Sequence, residues 1–190
     1  MKVFLGWSGD RSRALALALR EWIPLVLHYA RPWMSDTDIA AGTRWEDAIG
    51  KELEGSNFGI IGVTRQNMTS PWIHFEAGSL AKSLSIGRVT PLLLDLDFKD
   101  LSGPLAQFQA KKADRGGIEE VINSINSGVD ARIPESRTKQ LFEALWPQLE
   151  EAIGRIPKPP GASKATRSTD EVLEELVAGV RQLDNRLRSM

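Results

Sequence analysis

The chain has 190 residues, of which 42% are hydrophobic and 26% are charged, and its formal net charge is −1 at pH 7. This is an ordinary globular composition, and its near-zero charge gives no bulk electrostatic reason to expect a nucleic acid or an anionic membrane as partner. Cysteine is absent, which excludes disulfides, thiolate metal sites and cysteine nucleophiles. Because neither a secretory signal nor a run of about 20 apolar residues is evident, we expect a cytoplasmic protein.

Predicted strands and helices alternate through the first half of the chain. Val3–Trp7 is a short apolar run that ends at a Ser-Gly turn, which is typical of a buried strand. From Ser12 to about Leu27 the apolar residues share one helical stripe, which predicts a helix. We predict a second short strand at Ala30–Met34 and a second helix from Trp45 to about Leu53. The stripe of the first helix consists of Leu15, Leu19, Trp22, Ile23 and Val26.

Two further strands continue this alternation. Phe58–Val63 is strongly apolar between polar ends, and Val89–Leu94 is a similar run. Between them, a polar loop over Thr64–Ser70 leads into a helix in which Pro71 suits the first turn and Ser70 the N-cap. Continuous apolar strands separated by amphipathic helices predict a parallel sheet covered on both faces, and ligands bind at the carboxyl ends of such strands.

The second half of the chain is less regular and ends in a separate segment. Helices are predicted at Leu101–Phe108, Ile118–Ser127 and Glu135–Ile153. We place a domain at residues 1–155, a flexible linker at 156–168 and an amphipathic helix at 169–190, whose apolar residues form a narrow heptad seam. This last helix either packs back on the domain or pairs with other copies or another partner, and the long linker favours pairing.

Two loops at the predicted carboxyl edge of the sheet carry candidate binding residues. The first is the Ser-Gly turn after Trp7, whose ring either closes the core or stacks on a flat ring of a ligand. The second loop follows Trp33, and its Asp36 and Asp38 either bind a cation or ribose hydroxyls or remain solvated.

A helix at the same edge carries a third candidate, Glu76, which lies one helical turn after Trp72 on the same face. An isolated glutamate in a helix is most often a surface residue. The neighbours of Glu76 are unusually apolar for an exposed acid, and the same edge offers aromatic rings and small polar groups. His74 falls on a different face, and we interpret it as a structural or surface residue.

Other familiar enzyme signatures are missing. The chain has no phosphate-binding loop that ends in Gly-Lys-Ser/Thr, and Gly6-x-x-Gly9 lacks the third glycine of a dinucleotide fingerprint. Its two histidines are too few for a histidine-rich metal cluster, and no Ser-His-Asp triad follows from spacing alone. We therefore expect neither a metal nor a resident cofactor.

The two loops and the helix that carries Glu76 together resemble the TIR (Toll/interleukin-1 receptor) domain family, and the likeness covers residues 2–153. Val3–Arg13 resembles the opening strand and loop of the family, with Trp7 at its aromatic position and Gly9 at its glycine. Ser8 departs from the basic residue of the plant members. Ser35–Gly42 resembles the long loop after the second strand.

The helix that carries Glu76 shows the most informative part of the likeness. Ser70-x-Trp72-x-x-x-Glu76 matches the helix motif that holds the catalytic glutamate of NAD-cleaving members, and Phe75-Glu76-Ala77-Gly78 looks like the bacterial branch. The resemblance implies that Glu76 is catalytic. It also implies a set of substrate-binding residues: Trp7, Ser8, Gly9, Arg11, Trp33, Ser35, Asp36, Trp45, Ser70 and Trp72.

The resemblance further implies a flavodoxin-like three-layer α/β sandwich with a parallel, about five-stranded sheet, here followed by a C-terminal helix. NAD would be the substrate, cleaved to nicotinamide and either ADP-ribose or a cyclic ADP-ribose, in bacterial anti-phage defence. Copies would self-associate, with the second-strand loop of one completing the pocket of the next. Two alternatives remain: a non-catalytic scaffold that binds other TIR proteins, and a nucleoside transferase that needs a second carboxylate such as Asp36 or Asp38.

Overall fold

The computed structural model describes residues 1–34, 56–71, 73–74, 77–78, 88–130 and 132–158. The predicted loop and helix within residues 35–53 and the helix at 169–190 lie outside the described residues. Residues of helical backbone also follow Ser70, as the sequence predicts. The elements in chain order are β1 (Lys2–Gly6), α1 (Asp10–Val26), β2 (Arg31–Trp33), β3 (Phe58–Val63), β4 (Val89–Leu93), β5 (Lys111–Lys112), α2 (Arg115–Ser127) and α3 (Glu135–Gly154).

The described strands form one five-stranded sheet in the order β2-β1-β3-β4-β5. Every neighbouring pair is parallel. This is the flavodoxin-like strand order, in which the chain adds strands first on one side of β1 and then on the other. The parallel arrangement brings all carboxyl ends to one edge of the sheet, which is where the sequence places the candidate site.

Both faces of the sheet are covered, because the side chains of the central strands alternate between two cores. Val3 and Leu5 of β1 join a core that includes residues of α1, α2 and α3. Phe4 points to the opposite face and joins a second core with Ile73 and Ala77, which have helical backbone. All six residues of β3 are buried. The structure thus confirms the predicted three-layer α/β sandwich.

Helix α1 buries the predicted apolar stripe. Its five residues from Leu15 to Val26 are each at most 2% exposed, and burial of side chains of this size contributes about 1.5–3 kcal/mol each. Trp22 packs edge-on against Phe142 of α3, with ring centroids 5.6 Å apart. Its indole N–H donates to the carbonyl oxygen of Leu145 at 2.8 Å. Helices α1 and α3 therefore pack against each other on one face of the sheet.

Two parts of the second half differ from the prediction. Leu101–Phe108 is not an α-helix but contains a 3-10 turn at Gly103–Gln107, and another precedes it at Phe98–Asp100. Gly103 has a φ of 64°, which interrupts a right-handed helix and leaves too short a stretch for more than a 3-10 turn. The sequence does not predict strand β5, because two consecutive lysines carry no apolar pattern.

The chain divides into a compact unit, Met1–Ile156, and a second unit that begins at Pro157. Only Pro157 and Lys158 of the second unit are described, so the linker and the last helix stay predictions. No helix among the described residues is long and apolar enough to span a membrane.

We expect Gly117→Ala to destabilise the domain, because α2 begins against β5 without space for a side chain. A Cβ atom at Gly117 would lie 2.1 Å from the carbonyl oxygen of Lys112, and the shift needed to relieve this contact costs about 1–3 kcal/mol. Gly116→Ala is the matched control, since its Cβ would meet only the Asp114 side chain, at 3.9 Å. For the control, helix propensity predicts a free energy of unfolding that is unchanged or higher by up to about 1 kcal/mol. Equal Tm values of the two variants in thermal unfolding would contradict this expectation.

Candidate active site

The loops that leave β1 and β3 meet at the carboxyl edge of the sheet. Because the two strands pair in parallel, the loop that begins at Trp7 and the loop over Thr64–Ser70 start side by side. The side-chain oxygens of Ser8 and Ser70 lie 3.3 Å apart, within hydrogen-bond reach. The structure therefore brings together two predicted substrate-binding residues that are 62 positions apart in the chain.

Asn67 lies in the loop after β3 and is 3% exposed. Its Nδ2 donates to the carbonyl oxygens of Ser8 and Gly62, both at 2.9 Å. Its Oδ1 accepts a hydrogen bond from the backbone N–H of Thr64 at 2.7 Å. Asn67 is not among the residues that the sequence predicts for the site. Its place in a polar loop, three residues after Thr64, is the available signal, because asparagine side chains often bond to nearby backbone groups.

Ser12, on the first turn of α1, is fully buried and supports Ser8 from the other side. Its hydroxyl accepts from the N–H of Ser8 at 2.9 Å and donates to the carbonyl oxygen of Ser8 at 2.7 Å or of Gly9 at 3.1 Å. Gly62 of β3 permits this arrangement, since a Cβ atom there would lie 3.3 Å from the Cβ of Ser12. The sequence predicts Ser12 only as the start of a helix.

Gly9 turns the chain from β1 into α1. Its φ is 83°, in the left-handed region that residues with a Cβ rarely adopt. Its carbonyl oxygen accepts the hydrogen bond from the N–H of Arg13 at 3.0 Å, which begins the helix. The predicted turn is therefore present, and a glycine is what its backbone conformation requires.

Trp7 is half-buried and packs against the core that contains α1, as one of its two interpretations predicts. The guanidinium carbon of Arg13 lies 5.6 Å from the centroid of the Trp7 ring, which is a cation–π distance. The indole nitrogen is buried without a hydrogen-bond partner, which is energetically unfavourable for a polar group. Stacking of the ring on a ligand stays a prediction.

Arg11 connects the start of α1 with the turn after β4. Its guanidinium forms an ion pair with the carboxylate of Asp95. Among the described residues other than glycine, Asp95 is the one with a positive φ, 56°, a conformation that aspartate tolerates better than most residues. The charge of the predicted substrate-binding Arg11 is thus balanced by a carboxylate at the same edge.

Paired charges also cover the ends of β4 and β5. The ammonium group of Lys112 lies 2.6 Å from the carboxylate of Asp97, and Arg65 lies 3.1 Å from Asp100. The hydrogen bond from Lys112 holds the pKa of Asp97 below its ordinary value and raises the pKa of Lys112. Within the described ranges, His, Asp and Glu side chains do not gather into a group of three that could hold a metal ion.

Of the remaining predicted site residues, Trp33 is described by the structure and the others are not. Trp33 stacks on Phe4, with centroids 5.4 Å apart, and packs against the second core. His74, which we interpret as a structural or surface residue and not as a site residue, places Nε2 3.0 Å from the carbonyl oxygen of Met68. Five predicted site residues lie outside the described part of the chain: Ser35, Asp36, Trp45, Trp72 and Glu76. The catalytic and substrate-binding roles of all the predicted site residues stay predictions.

We expect the Arg11–Asp95 pair to contribute modestly to the free energy of unfolding, because the Asp95 side chain is 42% exposed. A double-mutant cycle with Arg11→Ala and Asp95→Asn should give a coupling energy of at most about 1 kcal/mol. Asparagine also tolerates the positive φ, so it tests the charge alone. About 1 M salt should reduce the coupling further, since the screening length is then about 3 Å. A coupling energy that is insensitive to salt in denaturant titrations would contradict this assignment.

Comparison with curated proteins finds no match. Comparison with solved structures finds 41 matching chains. One of them is described as the TIR domains of the activated Roq1 resistosome directly recognizing the pathogen effector XopQ. It is 16% identical, the match covers 94% of this chain and 98% of that chain, and the TM-score is 0.43. The fold assignment rests on the strand order described above and not on this similarity.

The comparison with protein families gives a match over much of the chain. Residues 3–122 match the family model of the TIR domain, which is more than half of the chain. The matched region includes the loops after β1 and β3 and both hydroxyls of the Ser8–Ser70 contact. This chain belongs to the TIR domain family.

Proposed function

We propose that this TIR protein cleaves the bond between nicotinamide and ribose in NAD, with Glu76 as the catalytic carboxylate. The observation that carries the proposal is the 3.3 Å contact between the hydroxyls of Ser8 and Ser70. Ser70 opens the motif Ser70-x-Trp72-x-x-x-Glu76, which matches the NAD-cleaving members of the family. Its hydroxyl lies against the loop after β1, at the edge of a parallel sheet where ligands bind.

One carboxylate is sufficient for this reaction. The nicotinamide ring of NAD is cationic, so the electron pair of the breaking C1′–N bond leaves with neutral nicotinamide and no proton has to be supplied. Ordinary glycosidases need a second carboxylic acid for that step. Positive charge builds up on the ribose, and a carboxylate placed against it stabilises the transition state. A well-placed group of this kind contributes on the order of 3–4 kcal/mol.

A nucleophile then forms a new bond to C1′ of the ribose. Attack by water, with loss of a proton to solvent, gives ADP-ribose, whereas attack by the adenine ring gives a cyclic ADP-ribose. The proposal includes both products. Depletion of NAD or production of a cyclic signal would serve anti-phage defence, a role suggested by the likeness of Phe75–Gly78 to the bacterial branch.

The described residues offer groups that suit this substrate. Each hydroxyl of the Ser8–Ser70 pair can donate one hydrogen bond and accept others, as recognition of ribose hydroxyls requires. Trp7, which precedes Ser8, supplies an aromatic ring for one of the flat rings of the dinucleotide. We assign these three residues to substrate binding and Glu76 to the reacting ribose.

We expect Glu76→Gln to reduce kcat/KM for NAD by about 10²–10³-fold, because glutamine keeps the size of the side chain and removes its charge. Glu143→Gln is the matched control, since Glu143 is exposed on α3 and its substitution should leave turnover unchanged. The measurement is chromatographic separation of nicotinamide, ADP-ribose and cyclic products after incubation of concentrated protein with NAD. Circular dichroism verifies the fold of both variants.

Two results of this experiment would overturn the assignment in different ways. Wild-type turnover that survives Glu76→Gln would remove Glu76 from the catalytic role. An absence of nicotinamide release by the wild-type protein at any concentration would favour the second candidate function, a non-catalytic scaffold that binds other TIR proteins. For such a scaffold, Glu76→Gln has no effect on partner binding.

We also propose that cleavage requires association of two or more copies. In the TIR domains that this chain resembles, the loop after the second strand of one protomer completes the pocket of the next. The heptad seam predicted at residues 169–190 is a further candidate for joining copies.

Turnover per molecule is therefore expected to fall steeply on dilution, in step with the loss of oligomer in sedimentation measured at the same concentrations. Leu176→Asp and Leu183→Asp, which place charges in the predicted seam, would shift this dependence to higher protein concentration if the last helix joins the copies. Full turnover by protein that sediments as a monomer would show that one copy is sufficient.

A further inference from the structure

We infer that Asn67 is a positioning residue that sets the distance between Ser8 and Ser70. It holds one residue through its side chain and the other through its main chain. Nδ2 of Asn67 donates to the carbonyl oxygen of Ser8 at 2.9 Å, and the carbonyl oxygen of Asn67 accepts from the N–H of Ser70 at 2.8 Å. The inference depends on the proposed function only for the ligand that the two hydroxyls bind.

Asn67 is itself fixed to the central strand of the sheet. Its second Nδ2 hydrogen is donated to the carbonyl oxygen of Gly62, and its Oδ1 accepts from the N–H of Thr64. Gly62 belongs to β3 and Thr64 follows the end of that strand. Both N–H groups and the oxygen of the carboxamide are therefore used, so the side chain cannot turn without loss of a hydrogen bond. The buried carboxamide of Asn67 therefore connects the backbone of Ser8 to β3.

The arrangement requires asparagine. Aspartate has the same shape but no N–H groups, and its second carboxylate oxygen would face the carbonyl oxygens of Ser8 and Gly62, which both act as acceptors here. The hydroxyl of Ser12 can still donate to the carbonyl oxygen of Ser8, at 2.7 Å, but Ser12 lies on α1 and its bond does not connect Ser8 to β3. Without the Asn67 carboxamide, the carbonyl side of Ser8 loses its link to β3, and its hydroxyl is no longer held beside Ser70.

The first test compares Asn67→Asp with a matched control, Asn126→Asp. Asn126 is also buried, at 7% exposure. Its Nδ2 donates to Ile133 at 2.8 Å and its Oδ1 accepts from the N–H of the same residue at 2.9 Å. It lies on α2 and not in the candidate site. Both variants lose stability, but we expect only Asn67→Asp to raise KM for NAD, by about tenfold, with kcat within about threefold. An equal rise of KM in both variants would overturn the inference.

The second test asks whether the effect passes through the Ser8 hydroxyl. In a Ser8→Ala background the hydroxyl is already absent, so Asn67→Asp should raise KM no further. Two residues that act independently would give additive effects on KM. Additivity would therefore show that Asn67 does not act through Ser8.

The third test needs no turnover, and it separates failure of this inference from failure of the proposed function. The amide of Ser8, which donates to Ser12, should exchange its hydrogen at least about tenfold faster in Asn67→Asp, measured by NMR, and at an unchanged rate in Asn126→Asp. If Asn67→Asp does not fold, Asn67→Ser takes its place, because a serine hydroxyl can still accept from Thr64. Unchanged exchange at Ser8 would overturn the inference even if NAD is cleaved. Faster exchange in a protein that releases no nicotinamide would support the inference and reject the proposed activity.

Discussion

The parallel pairing of β1 with β3 is the constraint on which the rest of the structure depends. These strands lie at the centre of the sheet, and side chains from both their faces are buried. A slip of one residue would turn Phe4 and its neighbours toward the wrong core, so the register is strongly fixed. A fixed register makes the two strands end together. That coincidence allows Ser8 and Ser70 to meet and gives Gly62 its place against α1.

The sequence was sufficient to predict the architecture because the central elements have long, uninterrupted apolar patterns. Phe58–Val63 was predicted with the bounds that the structure has, and the five stripe residues of α1 are all buried. The general rule that ligands bind at the carboxyl ends of parallel strands then selected the loops after Trp7 and Thr64. Ser8 and Ser70 lie in these two loops.

Other features could not be predicted because they depend on contacts between distant parts of the chain. Strand β5 consists of two lysines that are strand residues only because β4 lies beside them. Asn67 bonds to the backbone of a loop 59 positions away, and nothing local shows which loop that is. Arg11 has a similarly distant partner in Asp95. Polar side chains have several possible partners each, whereas an apolar stripe has only the core.

The contact between Ser8 and Ser70 also has a consequence for the order of folding. A hydroxyl pair 62 positions apart cannot form by local chain motion, because the whole crossover from β1 to β3 has to close first. Helix α1 consists of near-neighbour hydrogen bonds and can form early, whereas parallel strand pairing is non-local and slow. A collapsed chain with its helices in place would therefore still lack the candidate site. The two serines come together only once β1 and β3 have paired.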